Sequence, residues 1–164
     1  MFDLKVFCMP KGFGLRFDLT EPFILDGYKY CTDGRIAVRI KTDELDTQGR
    51  ILPKNIMEIF EEKRNTMEGE FSFSIVKTEE KCKECYGKGR LKLSKDFSVV
   101  CDECDGKGKI LSWGKNKIGE FLYSDEYIDK ICDNLDNSVI TGQSNDGKLF
   151  FKFNGGDGVL MNTN

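Results

Sequence analysis

Apolar and polar residues alternate with a period of two in three places outside the middle of this chain. Phe13, Leu15, Phe17 and Leu19 form the first run, Ile36, Val38 and Ile40 the second, and Phe71, Phe73 and Ile75 the third. Each predicts a strand with one buried face. Between the second and third runs the period changes. Leu52-Pro53 precedes Ile56, Ile59 and Phe60, an i, i+3, i+4 stripe that predicts a short amphipathic helix ending near Asn65, with Lys63 and Arg64 in its last turn. Further on, Ser124 stands as N-cap before Asp125 and Glu126, with Tyr127, Ile128, Ile131 and Leu135 on one face, which predicts a second helix stopping near Asn137. Three closing strands are then expected over 138–142, 148–153 and 158–162, with Asn145-Asp146-Gly147 and the Gly-rich 154–158 segment as turns. The pattern gives an α+β fold, mainly antiparallel sheet with two short helices.

The middle of the chain follows a different rule. Two near-identical blocks, KCKECYGKGRLKL and VCDECDGKGKILS, are offset by 19 residues and place Cys82, Cys85, Cys101 and Cys104 in a Cys-x2-Cys-x15-Cys-x2-Cys pattern. That spacing suits two knuckles, each offering a pair of thiolates to one tetrahedral zinc. After each second cysteine comes x-Gly-x-Gly (Gly87 and Gly89, then Gly106 and Gly108), which lets the chain fold back tightly and aim amides at the sulfurs. Iron in the same cage is the alternative ion. A thioredoxin-like redox pair fits poorly, because neither Cys-x-x-Cys opens a helix in a βαβ context. The expected cofactor is one structural Zn2+.

The seven cysteines also bear on location. Their odd count, and the start MFDLKVF with an acid at position 3 and no apolar leader, argue against disulfides and for a reducing cytoplasm. Cys8, Cys31 and Cys132 are expected as small buried hydrophobes. No apolar run approaches the ~20 residues that span a bilayer. The zinc segment 81–110 therefore reads as a lobe inserted into one discontinuous α+β core domain, residues 1–80 and 111–164.

The chain has no histidine, which removes Ser-His-Asp and Cys-His catalysis and every imidazole-bound catalytic zinc. No phosphate loop is present: Gly12-Phe13-Gly14 lacks a following Gly-Lys-Ser/Thr, and Gly155-Gly156-Asp157-Gly158 reads as a hairpin turn. The acidic residues give no spacing that singles out a catalytic pair. No enzyme is expected.

Charge adds a second asymmetry. Lys81–Lys117 holds ten Lys/Arg against five Asp/Glu, on a chain whose formal net charge is −3. Four thiolates around one divalent ion bring that stretch to about +3. A basic lobe on an acidic scaffold suits nucleic acid or an acidic protein patch. Arg90, Lys92, Lys95, Lys107, Lys109, Lys115 and Lys117 are the candidate nucleic-acid contacts, with Trp113 and Phe97 as stacking platforms; the alternative is a solvated lobe kept soluble by its lysines.

The Cys-x-x-Cys-x-Gly-x-Gly repeats over residues 81–110 resemble the cysteine-rich zinc module of DnaJ-type co-chaperones. Full modules of that family carry four repeats and two zincs; two repeats suffice for one. The J-domain signature His-Pro-Asp is absent, so the resemblance carries the zinc knuckle without co-chaperone activity. Small two-repeat relatives of the anti-TRAP type use such a module to oligomerise and to bind another protein, which implies a homo-oligomer as one form of this chain.

The flanks are similar to a single domain of the bacterial DNA polymerase III β sliding clamp. Thr32-Asp33-Gly34-Arg35 followed by Ile36-Ala37-Val38 looks like the clamp's Ala-Thr-Asp-Gly-x-Arg-Leu-Ala turn, and Ile51-Leu52-Pro53-Lys54 resembles its Val-x-x-Pro-x-Lys helix start. Asp125-Glu126-Tyr127-Ile128 and Gly158-Val159-Leu160-Met161 are similar to its last helix and closing strand. Asn162 stands in place of that strand's proline, and the zinc insert has no clamp counterpart. The acidic helix 124–137 would repel phosphates. Together the likenesses imply a non-enzymatic zinc-containing binding protein of phage or mobile-element type, acting on DNA replication or nucleic-acid machinery through its basic lobe. The alternative is a protein-interaction or chaperone-like adaptor or inhibitor that displays Leu91, Leu93, Val99 and Ile110 to a partner.

Overall fold

The computed structural model describes residues 3–10, 17–53, 55–70, 73–94 and 97–163. In chain order, Phe23–Leu25 (β1), Tyr28–Thr32 (β2), Ile36–Lys41 (β3), Ile56–Glu61 (α1) and Asn65–Glu70 (β4) precede the cysteine region. That region contains Lys77–Lys81 (β5), Arg90–Lys92 (β6), Ser98–Val100 (β7) and Lys109–Trp113 (β8). Lys115–Ile118 (β9), Phe121–Ser124 (β10), Asp125–Asn134 (α2), Val139–Gln143 (β11), Leu149–Phe153 (β12) and Gly156–Leu160 (β13) follow.

A seven-stranded antiparallel sheet, ordered β1-β2-β3-β13-β12-β11-β4, is the frame. Its central strands are buried on both faces, and this is why Leu149-Phe150-Phe151 is an unbroken apolar run. Alternate residues go to opposite sides. Ile36, Val38, Leu149, Phe151 and Leu160 meet Ile128 and Ile131 of α2 and Leu135 just beyond it, whereas Ala37, Phe150 and Val159 meet Ile56 and Phe60 of α1. On the α1 side Arg39 lies between the rings of Tyr28 and Phe60, its guanidinium carbon 4.4 and 4.2 Å from their centroids, and donates to Asp157 at 3.0 Å. The charge is thus buried only with its partner.

Thr32-Asp33-Gly34-Arg35 makes the β2–β3 turn, as its sequence predicts. Asp33 Oδ1 accepts from the amides of Arg35 and Ile36 at 2.9 and 3.1 Å, and the Thr32 hydroxyl donates to the Ile36 carbonyl at 2.7 Å. The three closing strands and the inward face of α2 also follow the pattern.

Other boundaries differ. The helix expected to reach Asn65 ends at Glu61, because Asn65 opens β4 and pairs with Gln143 of β11. Strand pairing overrides helical periodicity there. Phe73 and Ile75 pack against the α2-side core outside any strand, and Phe71 lies outside the described residues. Likewise Phe13 and Leu15 lie outside them, while Phe17 and Leu19 are irregular and Leu19 is buried on the α1 side. α2 stops at Asn134 rather than near Asn137, as Leu135 turns extended and its carbonyl accepts from the Ser138 hydroxyl at 2.9 Å. Ser124 sits at the N-cap without a side-chain capping bond. The 154–158 turn is shorter than expected, since Gly156, Asp157 and Gly158 belong to β13.

Candidate metal centre

The cysteine region leaves the core as a two-stranded ribbon, β5 against β8, running from Lys77↔Trp113 to Lys81↔Lys109. At its base the Val76 amide donates to Asp125 Oδ2 at 2.9 Å, and the Gly114 amide to the Val76 carbonyl at 2.9 Å. Asn116 Nδ2 donates to Asp125 Oδ1 at 2.6 Å. Asp125, the fully buried first residue of α2, thus clasps the neck. The sequence marks it only as a first-turn acid; nothing local shows that it accepts from a segment 49 residues away.

Beyond the ribbon the repeat becomes an approximate two-fold. The Cys82 amide donates to the Gly108 carbonyl at 2.9 Å and the Cys101 amide to the Gly89 carbonyl at 3.0 Å, each knuckle holding the other reciprocally. Within the knuckles the Gly89 amide donates to Cys85 Sγ at 3.1 Å and the Gly108 amide to Cys104 Sγ at 3.2 Å. These are the amide-to-sulfur bonds expected from the glycine spacing. Both glycines have φ of +72°, and a Cβ at either would lie 2.1 or 2.3 Å from the carbonyl oxygen of Gly106 or Gly87 in the facing knuckle. No other residue fits there.

This backbone gathers Cys82, Cys85, Cys101 and Cys104, all buried, with their sulfurs within 4.8 Å of one another. Cys82–Cys101 and Cys85–Cys104 are 3.7 Å apart. A tetrahedral zinc with Zn–S bonds of about 2.3 Å has sulfur–sulfur edges of about 3.8 Å, so the spacing fits one ion. It is far too long for a disulfide, which needs about 2.05 Å. The four cysteines are positioned to bind a single metal ion, and the all-thiolate donor set suits zinc. Burial raises the Cys85 thiol, but the Gly89 amide and the neighbouring thiols outweigh it and hold the group down at about 7; Cys101 is pushed up to about 12 by burial and its thiol neighbours. The cluster sheds its protons unevenly, as closely packed thiols do.

Leu91 and Ile110 pack on the cysteines and Val99 is half-buried, so of the four apolar residues expected on display only Leu93 is exposed. Tyr86, Phe97, Val100 and Leu111 are exposed in addition. Phe97 sits beside Leu93, whose amide donates to the Phe97 carbonyl at 3.0 Å. Trp113 is half-buried under the Lys77 ammonium, 4.4 Å from its ring centroid.

Among the candidate cations, Lys92, Lys107, Lys115 and Lys117 are exposed. Arg90 is exposed too, but donates to the Ser98 hydroxyl and carbonyl, each at 3.0 Å, bracing the β6–β7 hairpin. Lys109 pairs with Glu79 at 2.8 Å. Lys95 lies outside the described residues. The remaining cysteines divide: Cys8 and Cys31 are buried together in the α2-side core, as expected, but Cys132 is exposed. An outward position on an amphipathic helix explains the difference.

Fold and site together define a mainly antiparallel β protein with a buried four-cysteine cluster, positioned to bind one metal ion, beyond a two-stranded ribbon. Comparison of the chain with protein-family models, curated proteins and solved structures gives no match. The DnaJ-type and clamp likenesses rest on the quoted motifs. No helix among the described residues is long and apolar enough to cross a membrane.

Proposed function

We propose that this chain is a non-enzymatic, zinc-containing binding protein whose basic lobe engages nucleic acid within replication or related machinery. Residues 1–80 and 111–164 act as scaffold, and 81–110 as the contact element. The carrying observation is how the charges are used. Among the described residues from Lys81 to Lys117, Lys109 alone is in an ion pair, whereas elsewhere Lys5, Lys29, Arg39, Arg50, Lys77, Lys130 and Lys148, seven of the twelve described cations, each hold a carboxylate. Cations left without carboxylates beside exposed aromatics such as Phe97 and Tyr86 are what a phosphate backbone with stacking bases requires. A closed set of four thiolates keeps no ligand position for substrate, so the metal's role is to shape this surface. The link to replication comes from the clamp-like motifs of the scaffold.

The test is a salt titration of binding to single- and double-stranded oligonucleotides. We expect affinity to fall steeply with salt, with a slope of about −0.7 per neutralised phosphate for single strands. Lys92→Glu with Lys95→Glu should abolish retention while metal content stays unchanged. Absence of binding at every salt concentration rejects the reading. It would favour an adaptor or inhibitor that meets a protein through Tyr86, Leu93 and Phe97, which are 83%, 63% and 59% exposed.

A further inference from the structure

We infer that the cleft where the lobe's neck meets the core is a seat for one nucleotide of a single strand, an assignment that rests on the nucleic-acid reading above. The cleft has a volume of about 320 Å³ and is lined by Arg35, Trp113, Lys115, Ser124, Tyr127 and Thr163, among others. It is composite. Arg35 comes from the β2–β3 turn, Trp113 and Lys115 from the two strands flanking Gly114, Ser124 and Tyr127 from the start of α2, and Thr163 from beyond β13. Local sequence could not reveal it, because these residues meet only through the fold.

Its chemistry is that of a nucleotide seat. Two exposed cations, two aromatic rings and the hydroxyls of Ser124, Tyr127 and Thr163 line it, and among the described residues no carboxylate does. α2 carries many acids, but Asp125 is buried in the neck clasp and Asp129 is held by Lys77 at 2.7 Å; the carboxylates that bear on the cleft are Asp33, which bonds the Tyr127 side chain and is paired with Lys130 at 3.9 Å, and Glu126. Lys77, fixed by its pair with Asp129, also covers the indole of Trp113. The platform is therefore positioned before anything binds, which lowers the ordering cost of binding. Arg35 and Lys115 are suited to a phosphate, and Trp113 or Tyr127 to a base face. The alternation of β9 puts Lys117 on the same side as Lys115, which continues the cationic track out of the cleft.

Trp113 is the chain's single tryptophan, so its fluorescence reports this cleft alone. The experiment titrates the intact, metal-loaded protein with short oligothymidylate, following tryptophan emission and, independently, the anisotropy of a labelled strand. We expect both signals to change with one midpoint. Trp113→Ala should weaken binding by roughly 5- to 160-fold, the usual worth of one base stack. Arg35→Gln with Lys115→Gln, both exposed and remote from the metal, should lower the salt slope by about 1.4 while leaving thermal unfolding unchanged. Binding by anisotropy with unaltered tryptophan emission and an unchanged slope in the double variant would overturn the cleft assignment and leave the lobe reading standing. No binding by either signal would overturn both.

Discussion

Substituting alanine at Gly89 and, separately, at Gly87 distinguishes two costs that lie two residues apart. Both glycines have positive φ, +72° and +81°, where any Cβ strains the backbone by about 1–2 kcal/mol. At Gly87 that is nearly all, since the nearest atom to an added Cβ is Lys81 Cγ at 3.6 Å. At Gly89 the Cβ would stand 2.1 Å from the Gly106 carbonyl oxygen and 2.8 Å from its carbon. The facing knuckle must move, which adds about 1–3 kcal/mol of overpacking. Its movement also loosens the Cys101 amide bond to the Gly89 carbonyl and the Gly89 amide bond to Cys85 Sγ, at about 0.5–1.5 kcal/mol each. The excess of Gly89→Ala over Gly87→Ala is therefore about 2–6 kcal/mol, or roughly 30- to 20,000-fold in metal affinity. Zinc competition against a chromophoric chelator measures it directly. Gly108→Ala, the two-fold mate with its Cβ 2.3 Å from the Gly87 oxygen, should match Gly89→Ala. Equal losses at Gly87 and Gly89 would refute the idea that knuckle-to-knuckle contact demands the second glycine of each motif.

Cys82→Ser should release the metal and melt the lobe, a loss on the order of 10 kcal/mol of binding free energy. The apolar clusters on the two sheet faces share no residue with the cysteine cluster, so the sheet should still unfold in its own transition; metal analysis paired with hydrogen exchange would show it, and joint collapse would contradict it. Asp125→Ala strips the acceptor from the Val76 amide and from Asn116, and should cost about 3 kcal/mol in denaturant unfolding, at about 1–3 kcal/mol per orphaned donor. Asp125→Asn, which keeps one oxygen, should lose less, and a change below about 0.5 kcal/mol in the alanine variant would dismiss the clasp.

The buried cluster of four cysteines positioned for one metal ion was legible in the chain, because each pair and its glycines form a knuckle whose geometry is set within eight residues. Legible too were the Thr32–Arg35 turn, the inward stripe of α2 and the three closing strands, where side-chain period and turn chemistry agree. What escaped were elements whose state depends on a distant partner. Asn65–Glu70 is polar and mostly exposed, and it is a strand only because β11 offers an open edge. Phe73 and Ile75 alternate like a strand yet find no ladder, so their spacing records burial alone. The neck clasp of Asp125 and the cleft joining Arg35 to Trp113 are also products of chain closure. The sequence by itself determined the metal knuckle and the period of each local element, since those follow from bonds spanning a few residues. Tertiary structure alone decided which strands pair, where helices end and which cations remain without carboxylates, since hydrogen-bond partners and charge neighbours are contributed by segments far apart along the chain.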